Sequence, residues 1–163
     1  RWKQGALRTA GLEVGDTAFV PVDLERDDLL KALQAAGLHT DLPVFFAWLG
    51  VTLYLTPQAV LNTLAAVATL PVGSGIVFDY RVPTALLNPV ERAIHEVISQ
   101  QIAAVGEPWL SSFEPAALQR QLHELGFTQT EDLGAEELSL RYFNRRKDGL
   151  RTGGGVRVMG ARR

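Results

Sequence analysis

What most constrains this chain is a repeated alternation: a short apolar run followed by a helix whose start and stop are written into the sequence. Val44 to Leu49 (VFFAWL) is almost continuously apolar, as a strand covered on both faces should be. Thr56-Pro57 then supplies a cap and a first-turn proline, and Val60, Leu61, Leu64, Val67 and Ala68 recur at helical spacing. After the turn Pro71-Val72-Gly73-Ser74, Gly75 to Phe78 is a second apolar run, ending in Asp79-Tyr80. Asn88-Pro89-Val90-Glu91 opens a helix that runs to about Val105 and stops at Gly106, and another runs from Pro115 to Gly126. Upstream, residues 1–10 read as a helix stopped by Gly11, Thr17 to Val22 as a strand broken by Pro21, and Asp27-Asp28 as the opening of a further helix that Gly37 ends. Three short segments, about 127–132, 138–144 and 155–161, close the chain, with a hairpin expected between the last two. Strands alternating with helices in this way specify an α/β layered domain with a largely parallel sheet and helices on both faces.

A chain of 163 residues suits a single domain over 1–163, and 47% hydrophobic residues with a net charge of −2 exclude a disordered chain. The absence of cysteine removes disulfides, thiolate metal sites and a cysteine nucleophile, and makes a reducing, cytoplasmic setting the expectation. No uninterrupted apolar run reaches about 18 residues, so no membrane span is expected. His39, His95 and His123 have no metal-ligand spacing partner, so no metal is expected. Residues 141–163 hold 8 Lys and Arg against 1 acidic residue. Without interleaved aromatics beyond Tyr142 and Phe143, these charges read as the solvated border of terminal strands rather than as a nucleic-acid arm.

In open α/β sheets ligands bind beyond the carboxyl ends of the strands. That rule selects Asp23-Leu24, Trp48-Leu49-Gly50 and Asp79-Tyr80. A carboxylate finishing a buried strand is placed to accept from a ligand amine; the competing reading is that Asp23 and Asp79 only cap their own loops. Gly73-Ser74-Gly75 precedes its strand, whereas phosphate loops and nucleophile elbows follow one, so it reads as a turn. No Gly-rich loop follows any strand that can be placed here.

The motifs FVPVDL (Phe19–Leu24), FFAWLGVTLYLTPQAV (Phe45–Val60), GSGIVFDY (Gly73–Tyr80), GEPW (Gly106–Trp109), ELGF (Glu124–Phe127) and LRYFNRR (Leu140–Arg146) occur in an order that resembles the bacterial S-adenosylmethionine-dependent methyltransferases of the leucine carboxyl methyltransferase-like family. Each motif is weak alone; their joint order is specific. The resemblance implies the C-terminal half of a Rossmann-like class I methyltransferase fold, mostly parallel with an antiparallel C-terminal hairpin. The Gly-rich half would then lie outside these residues. It implies S-adenosyl-L-methionine as cofactor, with Asp23 contacting the adenine, Leu24 beside the ring, and the segment Leu49-Gly50 near the methionine end. The family's strand ends there in glutamate, and this chain has Leu49, which cannot accept from an ammonium. Tyr54, Thr56 and Pro57 match the rest of that segment. Tyr54, Arg141 and Tyr142 are the candidates for facing a small-molecule methyl acceptor, against a structural reading of Arg141 and Tyr142 on a strand. No catalytic acid or base is assigned, because a sulfonium methyl is already electrophilic and a carboxylate acceptor needs no general base.

Two functional readings follow. One is an O-methyltransferase acting on a carboxylate or hydroxyl; the other is a non-catalytic relative serving as a binding or assembly module, as Leu49 and the missing Gly-rich loop suggest. Either way, a sheet lacking the first two strands of that fold leaves an edge exposed, so a homodimer through that edge is expected.

Overall fold

The computed structural model describes residues 2–12 and 15–163. Four strands form one sheet in the order β1-β2-β4-β3, where β1 is Phe45–Trp48, β2 Gly75–Arg81, β3 Gln129–Leu133 and β4 Val156–Arg162. β1 and β2 are parallel; β4 runs antiparallel to both β2 and β3. The α/β class holds, but the sheet is mixed rather than largely parallel, because β4 is inserted backwards between β2 and β3.

Local signals place the helices well. α1 spans Trp2–Thr9, α2 Leu29–Ala35, α3 Pro57–Ala68, α4 Pro89–Ala104 and α5 Pro115–Leu125. Asp28, Thr56 and Asn88 each accept from the backbone N–H three residues on, as N-caps do. α5 ends on Gly126 at φ +105°, a left-handed stop that a side chain would strain. Arg1, at the head of the first helix expected from the sequence, lies outside the described residues.

Register decides what is buried. Ile76, Phe78 and Tyr80 of β2 share a face with Met159 and Ala161 of β4, and all five are at most 1% exposed. α3 and α5 cover that face with Val60, Leu64, Val67, Leu118 and Leu122, all at 0% exposure. Each such side chain contributes about 1.5–3 kcal/mol on leaving water. At the end of the same face Tyr80 donates from its hydroxyl to Asp132 at 3.0 Å, and Arg157 donates to both oxygens of Asp132. Burial, reinforced by that carboxylate, holds the Tyr80 phenol well above its ordinary pKa.

Three sequence expectations fail here. Residues 17–22 form no strand: the segment runs as coil, since no described strand lies beside it to pair with, and Pro21 removes a donor. β1 is not covered on both faces, because Phe45 is 56% exposed while Phe46 and Trp48 pack on the core. Residues 138–144 are helical rather than extended: α6 (Ala135–Leu138) leads into a π-turn over Ser139–Phe143. The Glu137 side chain accepts from the Gly134 N–H at 3.0 Å, and Thr152 donates to the Ala135 carbonyl, so this local network wins over strand pairing. The strand that precedes β4 in the chain and pairs with it antiparallel is therefore β3, joined through a long helical connection rather than a hairpin.

Candidate functional site

The chain segments picked out at the strand ends converge at the carboxyl side of β1 and β2. At Asp23 the backbone turns sharply: its carbonyl accepts from Arg26 and Asp27, its Oδ1 accepts from the Glu25 N–H, and its own N–H donates to Asp27. Glu25 then reaches across to the cap of α3. Thr56 donates its N–H to Glu25 Oε1 at 2.7 Å and its hydroxyl to Glu25 Oε2 at 2.9 Å. Thr56 still accepts from Ala59, so one hydroxyl both caps α3 and holds the Asp23 turn.

After β1 the chain turns through Gly50 at φ +71°, and the Gly50 N–H donates to Asp79 Oδ1 at 2.7 Å. The fully buried Thr52 donates to the Asp79 carbonyl and accepts at its own carbonyl from Ser111 Oγ at 2.7 Å. Leu110 donates to the Leu53 carbonyl, and Phe113 to that of Arg81. Segment 109–113 is thereby laid across the ends of both strands.

Asp23 and Asp79 thus do cap local structure, as the plainer reading held, and they also stand at the same end of the sheet. The Asp23 side chain is half exposed, with Arg26 at 3.8 Å, and is open to a further partner. Leu24 points the other way, into an apolar cavity of about 200 Å³ that it lines with Leu29, Leu33, Phe46 and Trp48. Leu49 is 57% exposed. Tyr54 is half-buried in a 3-10 turn over Thr52–Tyr54 that follows Gly50. Arg141 pairs with Glu131 on the far edge strand β3, and Tyr142 is 66% exposed. Among the described residues, no hydrogen bond or ion pair joins either of them to the Asp23, Gly50 and Asp79 group.

Sequence reasoning passed over two groups. Glu25 directly follows the VDL motif, and only the fold shows that it bonds Thr56. The other group surrounds the end of β2. The Arg81 guanidinium carbon lies 4.2 Å from the centre of the Trp109 ring, and the His95 ring is 6.0 Å from the same ring. Arg81 is the residue after the DY pair, and Trp109 closes GEPW, so both were in view without a reason to join them. α4 is seated here by the glycine run. Gly154 donates to Glu91 at 2.9 Å, and a β-carbon on Gly155 would fall 1.9 Å from His95 Nε2.

The Asp23 and Asp79 carboxylates fit the acceptor role that a nucleoside and an amino-acid ammonium require, but Leu49 does not. An exposed aliphatic side chain offers no lone pair, and loss of one charge-assisted bond forfeits about 1.5–3 kcal/mol.

Residues 1–68 match the model of the family described as leucine carboxyl methyltransferase. The chain is 29% identical over 150 residues to YktD of Bacillus subtilis (strain 168), a protein named as an S-adenosyl-L-methionine-dependent methyltransferase; the match covers 91% of this chain and 49% of YktD. The chain therefore spans about half the length of the curated relative it matches. In fold, 99% of it superposes on a protein from Thermobifida fusca named as a methyltransferase, with a TM-score of 0.58, 19% identity and 58% of that chain covered. A SAM-dependent methyltransferase from Archaeoglobus fulgidus superposes over 99% of this chain and 80% of its own, with a TM-score of 0.55 and 14% identity. The motif order, the family model over residues 1–68 and the relative point the same way: the chain is similar to the S-adenosyl-L-methionine-dependent methyltransferases of the leucine carboxyl methyltransferase family.

Proposed function

We propose that these residues form the acceptor-side portion of a methyltransferase site that binds S-adenosyl-L-methionine and serves O-methyl transfer to a carboxylate or hydroxyl of a small molecule. The observation that carries this reading is the convergence of the Asp23 turn, Gly50 and Asp79 at one end of the sheet, clamped by the Glu25–Thr56 and Gly50–Asp79 bonds. The cofactor, when bound, supplies an electrophilic methyl group. The protein's part is to orient: Asp23 presents a half-exposed carboxylate to the nucleoside end, and the rigid Gly50–Thr52 turn sets the wall beside it. Little acid–base machinery is needed where the acceptor is already a carboxylate.

The second reading, a non-catalytic binding or assembly relative, is favoured by Leu49, which removes an acceptor where the resemblance calls for one. Titration calorimetry with S-adenosylhomocysteine separates them. Saturable heat that is lost in Asp23→Asn supports the enzyme reading, and no heat at millimolar ligand leaves the second.

A further inference from the structure

We propose that Arg81, held against Trp109 at the carboxyl end of β2, recognises a carboxylate carried by the methyl acceptor at a position other than the one methylated. This rests on the methyltransferase reading for the identity of the ligand, though not for the existence of the anion site.

Arg81 projects from the same face of β2 as Asp79, two residues nearer the strand's end. The backbone carbonyl of Arg81 accepts from Phe113 at 2.8 Å, and Leu110 and Ser111 are bonded to the turn that follows Gly50. Arg81 therefore shares a wall with the Gly50–Asp79 contact, one step outward from the proposed cofactor position.

Its charge has no counterpart among the described residues. Among them the Arg81 side chain enters no ion pair and no hydrogen bond, whereas Arg141, Arg146 and Arg157 each hold a carboxylate. Arg81 is half-buried, and its Nε has no partner. Burial alone works against its charge and lowers its pKa from the ordinary value. Two further polar atoms beside it are also orphaned, Trp109 Nε1 and His95 Nδ1. Trp109 Nε1 and Arg81 Nε can only donate. A buried donor without an acceptor costs about 1–3 kcal/mol, so such groups are found together where an acceptor from outside completes them.

The ring gives the guanidinium a fixed posture. The contact over the Trp109 ring limits the freedom of the guanidinium, and a planar fork so restrained can grip a carboxylate with two parallel bonds. A lysine in the same place would keep the charge and lose both the stack and the fork. Glu91, which faces His95, accepts from the Gly154 N–H and forms no ion pair with Arg81.

The test uses the 163-residue chain and succinate as the probe, with sodium chloride matched for ionic strength as control. Proton–nitrogen correlation spectra follow the Trp109 indole N–H, assigned with Trp109→Phe. The expected result is a saturable shift with succinate and none with chloride. The midpoint should move about tenfold or more to higher concentration in Arg81→Gln, and by an intermediate amount in Arg81→Lys. No saturable shift in the wild type, or an unchanged midpoint in Arg81→Gln, overturns the proposal; the wild-type result decides it even if a variant fails to fold. S-adenosylhomocysteine is titrated into the same samples. Succinate binding without S-adenosylhomocysteine binding keeps the anion site and removes the methyltransferase reading; the reverse removes Arg81 alone.

Discussion

Glu25 holds Thr56 through both of its carboxylate oxygens, at 2.7 and 2.9 Å, across 31 positions of sequence. The bond fastens a coil segment to the N-cap of α3, so the Asp23 turn is placed by a helix terminus and not by a strand. Its two partners are charge-assisted donors at a partly solvated site, so the pair is worth about 0.5–1.5 kcal/mol.

Glu25→Gln and Thr56→Val should therefore each lower stability, Thr56→Val by about 1 kcal/mol more than the lost pair alone because the α3 cap goes with it. The double variant should be less destabilised than the two effects added, as denaturant midpoints in a double-mutant cycle would show. Additive effects would mean that the two residues do not meet in solution.

Gly155→Ala should destabilise the chain by about 1–3 kcal/mol, since the added carbon lands 1.9 Å from His95 Nε2 and α4 must shift. Removing the obstacle should restore part of the loss, so Gly155→Ala with His95→Ala should be more stable than the sum of the singles. Thermal unfolding of the four proteins measures this.

Acidification should loosen α4. Burial, followed by the nearby Arg81 charge, lowers the His95 pKa below the ordinary 6.5, against a smaller opposing pull from Glu91. A depressed histidine pKa contributes stability that is fully present above 6.5 and is lost as pH falls through the folded value. Urea midpoints of the wild type should thus drop as pH falls below about 6.5, and His95→Gln should show a shallower drop. Parallel pH profiles for the two proteins would contradict this.

Leu49→Glu should tighten S-adenosylhomocysteine binding about ten- to hundredfold, by restoring one charge-assisted acceptor at an exposed strand end. Calorimetry on both proteins reads it directly. An unchanged affinity would take Leu49 out of the site.

The outer edge of β1 has no strand beside it among the described residues, and Phe45 at its head is 56% exposed. We propose that two copies pair along this edge. Light scattering should return twice the monomer mass, falling to the monomer mass when Ala47, whose N–H faces that edge, is replaced by proline, provided circular dichroism shows the variant folded. A monomer mass for the wild type in dilute buffer sinks the idea.

Much of the architecture was legible in the residues because its determinants are local. Asp28, Thr56, Asn88 and Gly126 mark helix ends through bonds and torsions that involve only their immediate neighbours. The apolar runs at 44–49 and 75–78 declare strands whatever lies beside them. What the chain could not announce is anything that depends on a partner far away in sequence. Thr17 to Val22 has strand character, yet it pairs with no strand among the described residues; LRYFNRR has a strand's composition, yet a cap from Glu137 to Gly134 turns it into helix. Likewise Gly50 and Asp79 could be singled out from their places at strand ends, and Asp23 from the end of a strand that the fold does not form. Only the packed molecule set Glu25 on Thr56 and Arg81 on Trp109, because a hydrogen bond or a stacked ring is decided by distance in space, which folding alone supplies.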